Sequence, residues 1–246
     1  MSLPYTLNAD HPTQIGMVVL QSDETLERDL RRLLPLEAEV LVSRVPSAEV
    51  LTQASITEME GNLTQAARLL PRSADCAAVG YGCTSGTAQI GAARVGKLIS
   101  DGVRTKHVTE PVSALTAACR ALGITRLALI SPYVAAISDQ LRHVLGAAGI
   151  RVTAFASFDE PKEESVVRIS AQSLRRAAIE IGTTADCEAV FLSCTNLRTL
   201  DVIDAIEDEI GKPVLSSNQV LGWHLMQLAA LMPPQNLPGR LWQSGR

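Results

Sequence analysis

Short apolar runs alternate with amphipathic segments along the whole chain. A short apolar run predicts a buried strand, and apolar positions spaced three or four residues apart predict a helix. In the first half this pattern predicts strands at residues 15–20, 39–45, 77–82 and 106–109, separated by helices at 26–34, 59–70 and 86–100. Such alternation is typical of a parallel sheet with helices on both faces, and it predicts an α/β fold.

The second half of the chain repeats this scheme. Strands are predicted at residues 126–131, 149–155, 189–193 and 213–217, and helices at 111–122, from 132 onward, and at 173–181, 202–209 and 219–231. The most polar stretch, residues 159–165, is interpreted as a surface loop. Met17 and Ala128 lie in corresponding strands about 110 residues apart, which predicts an internal duplication and two lobes related by a pseudo-twofold axis.

One cysteine in each half occupies the same place in this scheme, at the same offset. Cys83 and Cys194 each follow an apolar strand and precede a threonine and a polar turn that opens a helix. Ligands collect at the carboxyl ends of parallel strands, so we expect both sulfur atoms to face one cavity between the lobes. The cysteines Cys76, Cys119 and Cys187 lack this turn and are interpreted as buried apolar residues.

The turns that follow the two cysteines are rich in hydrogen-bond donors. The N-terminus of a helix favours negative charge, so these amides and hydroxyls could hold a substrate carboxylate and stabilise an enolate. The same donors are expected to lower the pKa of each thiol. Two more turns, at Ser22-Asp23 and at Tyr133, fall at matching positions of the halves and are expected to converge on the thiols. The donor residues are Thr84, Ser85 and Gly86 in the first half and Thr195 and Asn196 in the second.

Composition and charge narrow the class of protein further. Of the 246 residues, 46 % are hydrophobic, which is enough for a full core. The net charge is −4 and no basic run stands out, so no nucleic-acid partner is expected. No apolar stretch approaches the roughly 20 residues of a membrane helix, and no secretory leader is visible, which predicts a cytoplasmic protein without a membrane partner. The five cysteines lack metal-ligand spacing, so neither a disulfide nor a metal site is expected.

With these motifs the chain resembles the aspartate/glutamate racemase superfamily, in the branch of maleate cis-trans isomerases and arylmalonate decarboxylases. Residues 19–25 also resemble the ectoine-utilisation proteins of that superfamily. The resemblance implies two flavodoxin-like domains and a site between them with no cofactor and no metal. The motifs are residues 15–18, Cys83-Thr84-Ser85-Gly86, Ser131-Pro132-Tyr133, Leu192-Ser193-Cys194-Thr195, Leu200-Asp201, Gly211-Lys212-Pro213-Val214 and Ser216-Ser217-Asn218.

The resemblance also implies domain boundaries, because the last helix of such folds usually crosses back to the first domain. The N-terminal lobe is then predicted to comprise residues 1–108 and 218–246 and to carry Cys83. The C-terminal lobe is predicted to comprise residues 109–217 and to carry Cys194. The apolar final helix makes a homo-oligomer the expected assembly.

Residue roles follow from the resemblance position by position. Cys83 matches a thiol that racemases use as an acid or base and maleate isomerases use as a nucleophile. Cys194 matches the second thiol, a proton donor or acceptor. Decarboxylases of this branch have glycine in place of the first thiol, so the presence of both favours isomerisation or racemisation. The positions that match the decarboxylases' oxyanion pocket are Thr84, Ser85, Tyr133 and, through its backbone amide, Thr195.

Asp23 departs from the maleate isomerase pattern. Those enzymes have an asparagine in the turn after the first strand, where it binds a substrate carboxylate, whereas this chain has Ser22-Asp23. A carboxylate repels a second carboxylate unless an amine or arginine intervenes, which disfavours maleate. The resemblance to the ectoine-utilisation proteins implies a substrate that carries nitrogen. The alternative is that Asp23 only caps the first helix.

Three functions therefore stand as hypotheses. The first is a cofactor-independent racemase or isomerase that acts on a small carboxylic acid or amino-acid-like substrate through Cys83 and Cys194. The second is a decarboxylase of the arylmalonate type that uses Cys194 alone as proton donor. The third is a cytosolic protein that binds a small molecule without turnover.

Overall fold

Two parallel four-stranded sheets form the framework of the protein. The computed structural model describes residues 1–8 and 11–243. The strand order is β2-β1-β3-β4 in the first sheet and β6-β5-β7-β8 in the second, so each half is built in the same order. The strands are β1 (Gln14–Leu20), β2 (Glu39–Val45), β3 (Ala78–Gly82), β4 (Val108–Thr109), β5 (Arg126–Ser131), β6 (Arg151–Ser157), β7 (Ala189–Leu192) and β8 (Val214–Ser216). The predicted α/β fold with two related parallel sheets is confirmed.

The helices of the described part of the chain connect these strands. None of them is long and apolar enough to cross a lipid bilayer. They are α1 (Leu26–Leu33), α2 (Gln53–Arg68), α3 (Thr84–Ile90), α4 (Ala92–Ser100), α5 (Pro111–Leu122), α6 (Ala135–Ala147), α7 (Glu163–Val166), α8 (Ala171–Thr184), α9 (Ile203–Ile210) and α10 (Ser217–Leu228), followed by a 3₁₀ turn at Arg240–Gln243.

Strand β1 is apolar throughout because it packs against a core on each face of the sheet. Alternate side chains of a strand point to opposite faces of the sheet. Met17 and Val19 pack into a core formed with α1 and α10, whereas Val18 and Leu20 pack into the core formed with α2. Both faces of the strand are buried, as expected of a parallel sheet covered on each side by helices.

Two of the predicted elements are wrong. The helix predicted over residues 86–100 is two helices, α3 and α4, separated at Gly91, whose φ of 92° is in a region that glycine adopts readily. The segment at 159–165 is not only a surface loop, because Glu163 begins the short helix α7 and its side chain is 3 % exposed. This second difference changes the chemistry of the site.

Helix α10 packs against α1 and α5 and against strands of both sheets, so it connects the two halves. Its Asn218 donates a hydrogen bond of 2.8 Å to Asp29 in α1. The domain boundaries given above stay a prediction, and residues 9, 10 and 244–246 of the predicted N-terminal lobe lie outside the described residues.

Asp29 makes the stability of this junction depend on pH. Its side chain is 2 % exposed, and burial raises the pKa of its carboxyl group to about 6. The folded chain therefore binds more protons than the unfolded chain between about pH 4 and pH 6, and the free energy of unfolding falls as pH rises through that window. Asp29→Asn removes this ionisation and keeps an oxygen that can accept the bond from Asn218.

We expect the free energy of unfolding of Asp29→Asn, relative to the native chain, to rise by about 2–3 kcal/mol between pH 4 and pH 7. Urea unfolding at pH 4, 5.5 and 7 measures this difference. The exposed Asp208, changed to asparagine, is the control and should show a smaller trend. A difference for Asp29→Asn that does not change with pH would contradict the assignment.

Candidate active site

One small cavity collects side chains from both halves of the chain. It lies at the carboxyl ends of β1 and β3 of the first sheet and of β5 and β7 of the second, where ligands bind in folds of this class. The eight site residues predicted from the sequence all line it. The lining consists of Leu20, Ser22, Asp23, Cys83, Thr84, Ser85, Tyr133, Glu163, Cys194, Thr195 and Asn196.

Cys83 directly follows β3 and caps α3. Its Sγ accepts a hydrogen bond of 3.1 Å from the backbone N–H of Gly86. A Cβ atom at Gly86 would lie 2.5 Å from the hydroxyl of Tyr81 and 3.0 Å from this sulfur, so only glycine lets the backbone approach the thiol here. The side chain is 5 % exposed and borders the cavity.

Cys194 follows β7 in the second sheet and has an unusual backbone. Its φ is 135°, a conformation that costs a non-glycine residue about 1–3 kcal/mol and that is concentrated at functional sites. Its Sγ lies 3.1 Å from the hydroxyl oxygen of Tyr133 and accepts a hydrogen bond of 3.3 Å from the N–H of Asn196. The side chain is 4 % exposed.

The turns lower the pKa of both thiols, as expected, but the net shift of each pKa is upward. Burial raises the pKa of Cys83 to about 12 and raises that of Cys194 well above its ordinary value, and the negative charges of Glu163 and Asp23 act in the same direction. The N–H groups of Gly86 and Asn196 do lower these pKa values, but their effect is smaller than that of desolvation. Both cysteines are therefore thiols at neutral pH.

This protonation state predicts the pH profile of alkylation by iodoacetamide. The thiolate is the reactive form, so the rates at Cys83 and Cys194 should rise about tenfold per pH unit from pH 7 to beyond pH 9. Mass spectrometry of peptides after timed alkylation measures both rates. N-acetylcysteine, which levels off near its own pKa, is the control, and a plateau below pH 8 at either site would contradict the prediction.

Glu163 is the site residue that the sequence did not reveal. Its Oε1 accepts a hydrogen bond of 2.5 Å from the hydroxyl of Tyr133, and its Oε2 accepts one of 3.0 Å from the side-chain amide of Asn196. The backbone N–H of Glu163 donates to the carbonyl of Glu49, so a contact with the first half fixes its position. Burial raises the pKa of Glu163, and the neighbouring charge of Asp23 raises it further.

Asp23 both caps the first helix and lines the cavity, so the two interpretations of this residue hold together. Its Oδ1 accepts hydrogen bonds of 2.8 Å from the N–H of Thr25 and 2.7 Å from that of Leu26, which caps the start of α1. Its Oδ2 is buried and has no hydrogen-bond partner among the described residues. Burial raises the pKa of this carboxyl group, against the lowering effect of the two N–H groups.

Hydrogen bonds tie the two cysteine turns to each other. Ser217, at the start of α10, lies 2.8 Å from the hydroxyl oxygen of Thr84 and accepts a bond of 3.0 Å from the backbone N–H of Cys194. The hydroxyl of Thr195 donates to the carbonyl of Gly82, at 3.1 Å. These bonds fix the distance between the turns and so hold both thiols at one cavity.

Ser22 and Ser85 complete the polar lining. Ser22 Oγ lies 3.1 Å from Ser47 Oγ, and the carbonyl of Ser22 accepts a bond from the side chain of Asn196. The hydroxyl of Ser85 makes no hydrogen bond to the described part of the chain and borders the cavity, so it is available to a ligand.

Comparison with known proteins gives a consistent group of relatives. A family model described as arylmalonate decarboxylase matches residues 49–242. A maleate isomerase from Geobacillus stearothermophilus is 28 % identical over 222 residues, which cover 83 % of this chain and 86 % of the relative. An arylmalonate decarboxylase from Bordetella bronchiseptica is 30 % identical over 122 residues, which cover 49 % of this chain and 51 % of the relative.

A solved structure shares the whole architecture. It is a Nocardia farcinica maleate cis-trans isomerase, a cysteine-to-serine mutant with a covalently bound succinylcysteine intermediate. The TM-score is 0.84 at 20 % identity, and the match covers 95 % of this chain and 99 % of that one. This similarity confirms the two-lobed fold.

Proposed function

Because the chain belongs to the arylmalonate decarboxylase family, we propose that it is a cofactor-independent isomerase that acts on a small carboxylic acid through Cys83 and Cys194. The observation that carries this proposal is that the two thiols, one from each half of the chain, line a single cavity. A group on either side of one carbon can take a proton from one face and return a proton to the other, which is what inversion requires.

Glu163, Tyr133 and Cys194 form a hydrogen-bonded chain along which a proton can move. With Glu163 ionised, the hydroxyl of Tyr133 donates to Glu163, and its oxygen accepts from the Cys194 thiol. When the S–H bond breaks, Tyr133 takes that proton and passes its own to Glu163. The result is a Cys194 thiolate and a neutral Glu163.

The thiolate of Cys194 then takes the proton beside the substrate carboxylate, and an enolate forms. Thr84 and Ser85 lie where their donors can stabilise this negative charge. Cys83 gives its S–H proton to the opposite face and becomes the thiolate. The starting state returns when Glu163 releases a proton to solvent and Cys83 takes one up.

The same residues also suit a substrate with a carbon–carbon double bond. After Cys83 loses its proton to solvent, its sulfur adds to one carbon, and the π electrons move into the carboxylate to give an enolate. The single bond rotates, the electrons return to form the double bond, and Cys83 leaves as the thiolate. A covalent succinylcysteine in the Nocardia farcinica enzyme supports this variant. Exchange of the α-hydrogen of a saturated substrate for deuterium in D₂O indicates direct proton transfer, whereas conversion of a cis into a trans double bond indicates addition and rotation.

Glu163→Gln should lower kcat about 10²-fold, because glutamine cannot accept the relayed proton. The pH profile gives the sharper measurement. With the native chain, kcat/KM should fall as pH drops through the raised pKa of Glu163, above 4.5, and this acid limb should be absent from the variant. Glu164→Gln, at the exposed neighbouring position, is the matched control. An unchanged acid limb in Glu163→Gln would contradict the relay.

A decarboxylase is the second candidate, favoured by the description of the matching family. In this reaction CO₂ leaves and Cys194 alone protonates the enolate. It predicts CO₂ release by the native chain and by Cys83→Gly alike. Loss of every activity in Cys83→Gly would exclude it and retain the two-thiol proposal.

The proposal also covers the cellular location, the assembly and the partners of the protein. We propose a cytoplasmic enzyme that assembles as a homo-oligomer and has no nucleic-acid or membrane partner. The mild negative charge supports the absence of a nucleic-acid partner. The apolar residues of α10 are buried within the chain, so they do not support the homo-oligomer, which stays a prediction, as does membership of the ectoine-utilisation subgroup.

A further inference from the structure

Each of the two thiols has a tyrosine hydroxyl beside it, but the two hydroxyls have different partners. Tyr133 lies between Cys194 and Glu163, and the carboxylate can take the proton that the tyrosine passes on. Tyr81 is in β3, and Cys83 follows two residues later with an extended backbone, so both side chains lie on the same face of the sheet. Tyr133 takes part in the proposed proton relay, whereas Tyr81 has no part in it.

Three side chains meet at the bare face of Gly86, in the first turn of α3. A Cβ atom there would lie 2.5 Å from the hydroxyl oxygen of Tyr81, 3.0 Å from Sγ of Cys83 and 3.0 Å from Cε of Met59. Glycine leaves them a space that any other residue at this position would fill with its own side chain. The hydroxyl oxygen and the sulfur are therefore close neighbours, and the N–H of Gly86 already donates to the same sulfur at 3.1 Å.

The hydroxyl of Tyr81 has only a weak acceptor while Cys83 is a thiol. The side chain is 0 % exposed, so this hydroxyl has no contact with solvent. It donates to Sδ of Met59 at 3.4 Å, and a thioether sulfur is a weak acceptor. A thiolate is a better acceptor, because a hydrogen bond to an ionised group is roughly twice as strong as one between neutral groups. A turn of the hydroxyl from Met59 to Cys83 therefore becomes favourable once Cys83 is ionised.

Tyr81 keeps its own proton beside an ionised Cys83. Burial raises the pKa of Tyr81 well above its ordinary value, and the negative charge of the Cys83 thiolate raises it further. In the described part of the chain no carboxylate accepts a hydrogen bond from this hydroxyl, unlike that of Tyr133, which donates to Glu163. Tyr81 can therefore donate a hydrogen bond to the thiolate but has no group to which it can pass a proton. Burial raises the pKa of Cys83, and the hydrogen bond from Tyr81 acts in the opposite direction.

We propose that Tyr81 is a positioning residue that stabilises the thiolate of Cys83: its hydroxyl donates to Met59 while Cys83 is a thiol, and to Sγ once Cys83 is ionised. This inference rests on the proposed function and adds a residue to it. Cys83 becomes a thiolate after it protonates a substrate, and it is a thiolate before it adds to a double bond, so the same donor serves both reactions. Tyr81 packs in the core and does not line the cavity, so it does not compete with a substrate for the sulfur.

Alkylation by iodoacetamide tests this inference without a substrate. At pH 8.5 we expect Cys83 of Tyr81→Phe to react about three to ten times more slowly than in the native chain, and Cys194 to stay within about twofold of its native rate. Loss of a hydrogen bond to the thiolate lowers the thiolate fraction about tenfold or more, and the greater nucleophilicity of the more basic thiolate offsets part of that loss. Mass spectrometry of both cysteine peptides from one sample measures the two rates, so Cys194 is the internal control.

Met59→Leu separates a donor to the thiolate from a hydroxyl with a merely structural role. This variant removes the thioether acceptor and keeps both the side-chain volume and the hydroxyl of Tyr81. We expect Cys83 of Met59→Leu to react at least as fast as in the native chain, because the hydroxyl has lost its other acceptor. If the hydroxyl only holds Met59, both variants lose the same bond and change Cys83 alike. The proposal is overturned if Tyr81→Phe does not slow Cys83 more than Cys194, or does not slow Cys83 more than Met59→Leu does.

Turnover shows whether this inference or the proposed function has failed. In Tyr81→Phe, kcat should fall about tenfold with KM unchanged, and the acid limb set by Glu163 should stay, because Tyr81 takes no part in that relay. Slower alkylation of Cys83 in Tyr81→Phe together with full turnover in Cys83→Ala would retain the donor and reject the two-thiol isomerase. An unchanged alkylation rate in Tyr81→Phe together with loss of turnover in Cys83→Ala would do the reverse.

Discussion

Replacing Cys83 by alanine should lower kcat about 10⁴-fold, the upper end of what a positioned acid or base contributes. The reason is that Cys83 alone delivers or removes the proton on its face of the substrate, and in the addition mechanism it forms the covalent bond. Steady-state turnover of the purified variant measures the loss, and its thermal unfolding should match that of the native chain.

Cys119→Ala is the matched control for this experiment. Cys119 lies in α5, is 1 % exposed and does not line the cavity, so its loss removes a thiol without removing chemistry. Turnover should stay within about threefold of the native chain, in line with the small effect of a mild substitution outside the site. Full activity in Cys83→Ala would refute the two-thiol mechanism.

Replacing Cys194 by alanine should cause a similar loss of turnover, about 10⁴-fold, with a different residual reaction. If the thiols transfer protons, each single variant still exchanges the α-hydrogen on the face of its remaining thiol. In D₂O, Cys83→Ala should then exchange one enantiomer and Cys194→Ala the other, without interconversion. Proton nuclear magnetic resonance of each enantiomer follows this exchange.

A substrate with a double bond gives a different signature in the same variant. Cys194→Ala should then accumulate an adduct on Cys83, seen as an increase in intact mass equal to the mass of the substrate. Exchange of the same enantiomer by both variants, with no adduct in either, would contradict opposed thiols.

The position of both cysteines could be predicted because it depends on local pattern. An apolar run followed by Cys-Thr and a polar turn places a residue at the carboxyl end of a strand, and parallel pairing brings such ends together. The duplicated pattern then extended this reasoning to Ser22, Asp23 and Tyr133, and the structure places all of them at one cavity.

Glu163 could not be predicted because its burial depends on distant contacts. It lies among charged residues in a segment with no apolar period, and its position is fixed by the carbonyl of Glu49 and by the side chains of Tyr133 and Asn196. No local signal separates it from Glu164, which is exposed. Ser217 could be recognised only as part of a motif. Its hydrogen bonds to Thr84 and Cys194 join three segments that are far apart in the sequence, and no local pattern indicates such a contact.

The pKa of the thiols could not be predicted either, although their donors were identified. The turn residues supply N–H groups that lower the pKa, as expected. The larger effect is desolvation together with two carboxylates, and both depend on how the lobes close over the site. The break between helices α3 and α4 was missed for a simpler reason. A glycine within a helical pattern does not by itself indicate that the helix ends there.

Cross-linking with dibromobimane, whose two bromomethyl groups each alkylate one thiol, tests most directly whether Cys83 and Cys194 face one cavity. The account predicts one reagent per chain, a linked peptide pair containing Cys83 and Cys194, and complete loss of turnover in proportion to that link. Cys83→Ala and Cys194→Ala should give no link. Single additions at the two sites, or a link through Cys76, Cys119 or Cys187, would contradict a shared cavity.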